Sequence, residues 1–121
     1  MKGTLQPAMK LTISVGGDER RAHHPLYQEV LRVLHEEGVS GVTLTKGVLS
    51  FGVRRSIHSM MNEITIDNLP IIIEAVDEGT KIERAATLVA EMLGEHGLVE
   101  LQPTMIASRG REDEERNNVN A

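Results

Sequence analysis

The first half of the chain alternates between strand-like and helix-like patterns of apolar residues. In residues 9–15 every second side chain is apolar, which is the period of a strand with one buried face. In residues 25–38 apolar side chains recur every three or four positions, which predicts an amphipathic helix. Pro25 suits the first helical position and Gly38 suits the residue after the last turn. Residues 39–47 are rich in valine and threonine and predict a second strand.

The second half repeats this order after a segment without a clear period. Residues 48–68 are predicted to form a long loop, and loops of this length in compact domains are usually functional or disordered. The segment 69–76 is apolar on both faces, which is typical of a strand in the middle of a sheet. Thr80 and Glu83 have the spacing of a capping box, and the apolar stripe that follows predicts a second helix ending at Gly94.

The complete order of elements predicts the fold class. Residues 98–107 predict a last strand, and Pro103 favours an edge position because proline cannot donate to the ladder. Two β-α-β units joined by a loop predict an α+β, ferredoxin-like (split βαβ) fold, a four-stranded antiparallel sheet with two helices on one face. The second apolar face of strand 69–76 then needs another cover. We expect a further copy of the chain to provide it, the alternative being the loop 48–68.

The length of 121 residues is enough for one domain, which we place at residues 9–108. Residues 1–8 lack the apolar stretch of a signal peptide, and we interpret them as an extension or cloning remnant outside the fold. Residues 109–121 are polar and of mixed charge, and we expect a disordered tail there. No cysteine occurs, which excludes disulfides, thiolate catalysis and cysteine-based zinc sites.

Charge and composition narrow the possible partners. The net charge is −5 and only 2% of residues are aromatic, which argues against nucleic acid as a partner. The apolar runs are far shorter than the ~18 residues of a membrane span, so we expect the protein not to be membrane-inserted. We expect a cytoplasmic location, with which the absence of cysteine is compatible.

Two short segments carry residues suited to binding phosphate or a base. The turn 38–43 contains two glycines and two hydroxyl side chains, which can accept the edge of a base or a phosphate, although an ordinary helix-to-strand turn also explains them. Gly47 and Gly52 would allow a ligand to approach the backbone, and Arg54 and Arg55 could bind its phosphate oxygens. The alternative for this second segment is a flexible loop with solvated charges.

Catalytic and metal sites are less well supported. The five histidines do not have the spacing of a metal site. His58 lies near Ser56, Ser59 and Glu63, but a catalytic triad would also need a strand-to-helix elbow and an oxyanion hole, which nothing in this segment predicts. We therefore expect no catalytic residue, no metal ligand and no enzymatic activity.

The stretch EEGVSGVTLTKGVLSFGVRRSIH resembles the helix–turn–strand–loop region of the PII signalling proteins. The helix start PLY and the strand LPIIIEAVD further resemble the PII-like family of uncharacterised domains, and the resemblance extends over residues 9–108. It implies a homotrimer of ferredoxin-like subunits with adenine nucleotides in the clefts between them. It also implies that the loop 48–68 changes shape with the ligand and contacts a target protein, for which a membrane transporter is one candidate.

The resemblance and the chemistry of the loop together give ten candidate nucleotide-binding residues. They are Ser40, Gly41, Thr43, Gly47, Phe51, Gly52, Arg54, Arg55, Gly97 and Arg109. The loop 94–97 before the last strand has no lysine to bind a triphosphate, which favours AMP or ADP over ATP and 2-oxoglutarate. No cofactor is required beyond the adenine nucleotide as ligand.

Two other functions are possible on the same architecture. A trimeric ferredoxin-like protein of the divalent-cation tolerance type would bind metal, which the missing cysteines and scattered histidines disfavour. A small acylphosphatase would need an anion-binding loop after the first strand, and Asp18 and Glu19 are unfavourable there. The resemblance therefore implies a non-enzymatic, nucleotide-sensing regulatory protein as the leading hypothesis.

Overall fold

The structure, a computed structural model, describes residues 3–47 and 69–109 of the chain. The first half contains strand β1 (Gly3–Gly16), a short hairpin of β2 (Arg20–Arg21) and β3 (His24–Pro25), helix α1 (Leu26–Glu36) and strand β4 (Thr43–Lys46). The second half contains strand β5 (Pro70–Asp77), helix α2 (Gly79–Leu93), a 3-10 turn (Gly94–His96) and strand β6 (Gly97–Arg109).

Four strands form one antiparallel sheet in the order β4-β5-β1-β6. The first and third predicted strands, β1 and β5, are central, and β6 with Pro103 is at an edge, as predicted. The α+β, ferredoxin-like fold is therefore confirmed. Neither of the described helices, of 11 and 15 residues, is long and apolar enough to cross a membrane.

The core lies between the two helices and one face of the sheet. Residues directly opposite each other in an antiparallel pair share a face, so the pairs Ile13↔Ile73 and Leu11↔Ala75 place four side chains on the same side. All four are buried. The helices add buried side chains on their inner faces, namely Leu26, Val30, Leu34, Ile82, Ala85, Ala86, Val89 and Leu93. Each fully buried large aliphatic side chain stabilises the fold by about 1.5–3 kcal/mol.

Glycines end both helices, as predicted, but the start of α2 differs from the prediction. Gly38 has φ +80°, and its amide donates to the His35 carbonyl at 3.0 Å. The capping box predicted at Thr80 and Glu83 is wrong, because α2 begins at Gly79 and its N-cap is Glu78, without a side-chain cap bond. Thr80 therefore lies inside the first turn, two residues after the N-cap position.

Strand β1 begins six residues earlier than the alternating pattern predicted. Residues 3–8 pair with β6 from Gly3↔Arg109 to Ala8↔Thr104. The expectation that residues 1–8 lie outside the fold is therefore wrong for residues 3–8. The reason is that β6 extends to Arg109 and pairs with β1 from Gly3 to Val15. The remainder of the predicted tail, residues 110–121, lies outside the described residues.

Candidate functional site

The face of the sheet opposite the helices carries both apolar and charged side chains. On β5, Val76 points to this face with 38% of its surface exposed, and Ile72 lies on the same face. On β6, Leu98 is 57% exposed. Lys10 and Glu74 form an ion pair here, with Nζ 3.0 Å from Oε2. The second apolar face predicted for strand 69–76 is thus present, and we call it the open face.

Ser40 lies in the turn between α1 and β4, and Asp77 at the end of β5 binds two of its atoms. Asp77 Oδ2 accepts hydrogen bonds from the Ser40 amide and from the Ser40 hydroxyl, each at 2.9 Å. Asp77 Oδ1 accepts from the Glu78 amide at 2.7 Å. Lys81 Nζ, one turn into α2, is 3.5 Å from Oδ2. One carboxylate therefore connects the turn to the start of α2.

The surroundings of Asp77 favour its ionised form. Its side chain is only 13% exposed, and this burial by itself raises the pKa of the carboxyl. The hydrogen bonds from the Glu78 amide, the Ser40 amide and the Ser40 hydroxyl, together with the charge of Lys81, outweigh the burial and hold the pKa below its ordinary value of 3.8. At neutral pH the Asp77 carboxylate is therefore ionised and can accept hydrogen bonds but not donate them.

The outer side of the turn is accessible. Ser40, Gly41 and Thr43 are all exposed, and a Cβ added at Gly41 would have no heavy atom within 4 Å. A second contact with α2 supports the turn, since Arg84 Nε is 2.8 Å from Glu37 Oε1. The three candidate residues therefore lie together and face solvent, while contacts with Asp77 and α2 hold the turn in position.

Gly47 lies at the other end of β4, where the segment 48–68 begins. Its amide donates to the Pro70 carbonyl at 2.7 Å, and a Cβ at this position would be 2.8 Å from Pro70 Cγ. On the other side of Pro70, the Gly17 amide donates to the Leu69 carbonyl at 3.0 Å. The two ends of the segment 48–68 are therefore held side by side on the sheet, and glycine is required at 47 for this close approach.

Gly97 has a packing role in the fold. It begins β6 with an extended backbone, and a Cβ there would lie 2.7 Å from Leu93 Cδ1 and 2.9 Å from the Ser14 carbonyl oxygen. Gly97 therefore allows the end of α2 to pack closely on the sheet. This packing role does not depend on whether Gly97 also contacts a ligand.

One chain does not bring the ten candidate residues into a single cluster. Residues 40–43 lie at the start of β4 and Gly47 at its end. Gly97 is at the same end of the sheet as Gly47, but β5 and β1 lie between their strands. Arg109 is at the far end of β6, opposite Gly3. The remaining candidates lie outside the described residues and are Phe51, Gly52, Arg54 and Arg55.

Asp77 is the residue of this region that the sequence patterns did not identify. Its one local signal was an acidic side chain directly between a buried strand and the first turn of a helix, where acids are favourable. Its contact with Ser40 joins residues 37 positions apart, which no periodicity can show. The ion pair of Lys10 and Glu74 on the open face was missed for the same reason.

The described residues contain no group of three or more histidine, cysteine or acidic side chains placed to hold a metal ion. His96 contacts an acid, with Nδ1 3.2 Å from Glu19 Oε2, but this is a pair across two loops. Within the described ranges, no buried side-chain nitrogen or oxygen lacks a hydrogen-bond partner. This part of the chain therefore shows no buried side-chain nitrogen or oxygen that a bound ion would be needed to satisfy.

Comparison with solved structures shows that the fold is PII-like. The chain is similar to the apo form of CPII from Thiomonas intermedia K12, a nitrogen regulatory PII-like protein, with a TM-score of 0.62, 18% identity, and coverage of 89% of this chain and 100% of that chain. CPII bound to ADP, AMP and bicarbonate gives a TM-score of 0.58 at 20% identity, covering 88% of this chain and 99% of that chain.

Comparison of sequences gives the family. The UPF0166 protein MJ1524 of Methanocaldococcus jannaschii is 34% identical over 74 residues, which are 61% of this chain and 68% of that protein. The profile of the DUF190 family, described as uncharacterized ACR, COG1993, matches residues 8–106. The predicted resemblance to the PII-like family of uncharacterised domains is thereby confirmed, and the chain belongs to the DUF190 (UPF0166) family.

Proposed function

We propose that this protein is a non-enzymatic PII-like regulator. In this proposal an adenine nucleotide, AMP or ADP, binds in the clefts between the subunits of a homotrimer, and the segment 48–68 transmits the bound state to a target protein. The observation that carries the proposal is the fold, which the chain shares over 88% of its length with a CPII structure bound to ADP and AMP.

The geometry of the chain supports a site between subunits. The turn 40–43 is exposed and held in place by Asp77, while Gly97 and Arg109 lie at opposite ends of the other edge strand, with β5 and β1 between. A ligand that contacts the turn together with either of these two residues would therefore lie between two chains. The open face supplies an apolar surface for that association, since exposed apolar patches on small domains are usually interfaces.

Nucleotide binding is tested by thermal shift and isothermal titration calorimetry of the full chain with AMP, ADP, ATP, adenosine and GDP. We expect AMP and ADP to raise the melting temperature most, because a ligand at a hundredfold excess over its Kd stabilises the folded state by about 2.7 kcal/mol. A panel in which no adenine nucleotide binds contradicts the proposal. Including divalent metals and acetyl phosphate in the panel tests the two alternative functions in the same experiment.

The proposed role of the arginines in the segment 48–68 is tested by the double substitution Arg54→Ala and Arg55→Ala. We expect affinity to fall more for ADP than for adenosine, because guanidinium groups bind phosphate oxygens. The matched control is the exposed pair on β2, Arg20→Ala with Arg21→Ala, which removes the same charge elsewhere. An equal loss for ADP and adenosine would show that Arg54 and Arg55 do not contact the phosphates.

The proposed regulatory step is tested by hydrogen exchange across residues 48–68 with and without ADP. The Gly47 amide, at one end of this segment, donates to the Pro70 carbonyl next to its other end, and the Gly17 amide donates to the Leu69 carbonyl. A phosphate bound near Gly47 would therefore act next to both ends, and we expect slower exchange with ADP. Equal exchange at saturating ADP contradicts a change of the segment 48–68 on ligand binding.

The proposed target protein, for which a membrane transporter is one candidate, should bind the immobilised protein to a different extent with and without ADP.

A further inference from the structure

The contact between Asp77 and Ser40 determines what the turn can offer to a base. Asp77 Oδ2 lies 2.9 Å from both the amide nitrogen and the hydroxyl oxygen of Ser40. An ionised carboxylate can only accept hydrogen bonds, so both hydrogens of Ser40 point toward Asp77. The hydroxyl oxygen keeps two lone pairs, and Ser40 is exposed to solvent. Toward a ligand, Ser40 therefore presents an acceptor and no donor.

Purine bases differ in the group that would meet this acceptor. Adenine carries an amino group at position 6, which is a donor, whereas guanine and hypoxanthine carry a 6-oxo group, which is an acceptor. An acceptor placed against the Ser40 oxygen would leave both groups without a hydrogen, and an unpaired polar contact costs more than a good one gains.

We propose that Asp77 is a specificity-determining residue that fixes the Ser40 hydroxyl as an acceptor, so that the site takes a 6-amino purine and rejects a 6-oxo purine. This inference rests on the proposed nucleotide-binding function and adds the origin of its base selectivity. Asp77 acts through Ser40 and is a positioning residue, while Ser40 meets the base. The surroundings fit this role, since Lys81 and the Glu78 amide keep the carboxylate ionised and in place.

The experiment measures the ratio of the Kd values for ADP and IDP, which share ribose and phosphates and differ in the group at position 6 and in the hydrogen that the 6-oxo purine carries on N1. For the wild-type chain we expect IDP to bind about tenfold more weakly, the ratio that one neutral hydrogen bond supplies. In Asp77→Asn the side-chain amide can donate to the Ser40 oxygen, which frees the hydroxyl hydrogen for the ligand. We expect the ratio to fall to about two or less in this variant.

Ser40→Ala provides a second variant that does not depend on the fold tolerating Asp77→Asn. It removes the hydroxyl but keeps the backbone hydrogen bond to Asp77, so the turn stays tethered. We expect the same loss of preference for ADP. The matched control is Glu29→Gln, which neutralises another carboxylate that is 22% exposed and hydrogen-bonded, to Arg32 on the outer side of α1. Its ratio should equal that of the wild type.

The outcomes separate this inference from the proposed function. If the wild-type chain does not bind ADP, the proposed function fails and this inference with it. If the wild-type chain binds ADP and IDP equally, the function stands and the inference is overturned. It is also overturned if Asp77→Asn or Ser40→Ala weakens both ligands by the same factor and leaves the ratio unchanged, because that result describes a purely structural role.

Discussion

Neighbouring residues of the turn between α1 and β4 are under opposite constraints. Ser40 uses its amide and hydroxyl hydrogens on Asp77, so its position is set by a contact from another strand. Gly41, the next residue, has open space where a side chain would be and is not in the left-handed region. Changes at Ser40 and Asp77 should therefore affect stability and binding, whereas changes at Gly41 should affect binding alone.

Gly41→Val is expected to fold and to bind AMP and ADP at least tenfold more weakly. The valine side chain enters the space in front of the turn, where the proposed ligand would lie, and meets no protein atom behind it. We expect the melting temperature to stay within about 2 °C of the wild type, because an exposed substitution of this kind changes the free energy of unfolding by no more than about 0.5 kcal/mol. A titration with ADP measures the loss of affinity. If Gly41→Val unfolds the chain, the turn is structural and the assignment of the site is wrong.

Asp77→Asn is expected to lower the free energy of unfolding at pH 7 by about 1–3 kcal/mol, the usual cost of losing hydrogen bonds to a charged group. Because the pKa of Asp77 is lowered in the folded chain, its stabilisation is present above the ordinary value of 3.8 and is lost as the pH falls from there through the folded pKa. Urea denaturation at several pH values should show wild type and variant converging below pH 3.8. A difference that stays constant between pH 7 and pH 3 contradicts this account.

Among the elements, those with a buried face were predictable and the ends of the strands were not. Residues 9–15 repeat their apolar side chains with the period of a strand because one face packs on the helices, and β5 was recognisable because it is apolar on both faces. Residues 3–8 pair only with β6, and residues 4–7 are exposed with Ala8 buried, so this part of the ladder imposes no apolar period. The helix ends at Gly38 and Gly94 were predictable because positive φ is a property of residue type.

The candidate site was predictable to a smaller extent than the fold. Small and hydroxyl residues marked the turn 40–43, and the structure brings these together. The partners of that turn, Asp77 and Glu37 with Arg84, come from contacts between elements distant in sequence. Such contacts follow from the packing of α2 against α1 and β5, which is visible only once the fold is known.

Gly97→Ala is expected to destabilise the junction of α2 and β6 by about 1–3 kcal/mol, the usual cost of overpacking. The added methyl would be 2.7 Å from Leu93 Cδ1 and 2.9 Å from the Ser14 carbonyl oxygen, and the backbone oxygen cannot move without disturbing the ladder. Gly41→Ala is the matched control, because its methyl meets nothing within 4 Å. Equal melting temperatures for the two variants would show that the junction relaxes without cost.

At the scale of the whole molecule, the two faces of the sheet are unequal. One face is covered by both helices and holds the core, while the open face exposes Val76 and Leu98 beside the pair of Lys10 and Glu74. We propose that a further copy of the same chain covers this face, since each copy offers the same surface; the alternative cover, the segment 48–68, lies outside the described residues. The proposed homotrimer would bury the open face and would bring opposite edges of neighbouring sheets together.

Val76→Glu is expected to dissociate the proposed homotrimer, because a charge placed in an apolar interface loses its solvation without a partner. Light scattering should give about three times the chain mass of 13.3 kDa for the wild type and the single chain mass for the variant. Leu88→Glu is the matched control, since Leu88 on α2 is 40% exposed, compared with 38% for Val76, and lies away from the open face. A wild-type chain that is a stable monomer contradicts the proposal.

The start of β5 is fixed by two hydrogen bonds, from the Gly47 amide to the Pro70 carbonyl and from the Gly17 amide to the Leu69 carbonyl. This arrangement has an evolutionary consequence. Because these bonds hold together the two ends of the segment 48–68, the sheet does not depend on the sequence between them. Doubling the length of such a closed segment costs only about 0.6 kcal/mol. We therefore expect relatives to differ most in the length and sequence of this segment, while the turn that Asp77 holds, and the ligand preference proposed for it, are set by a separate part of the fold.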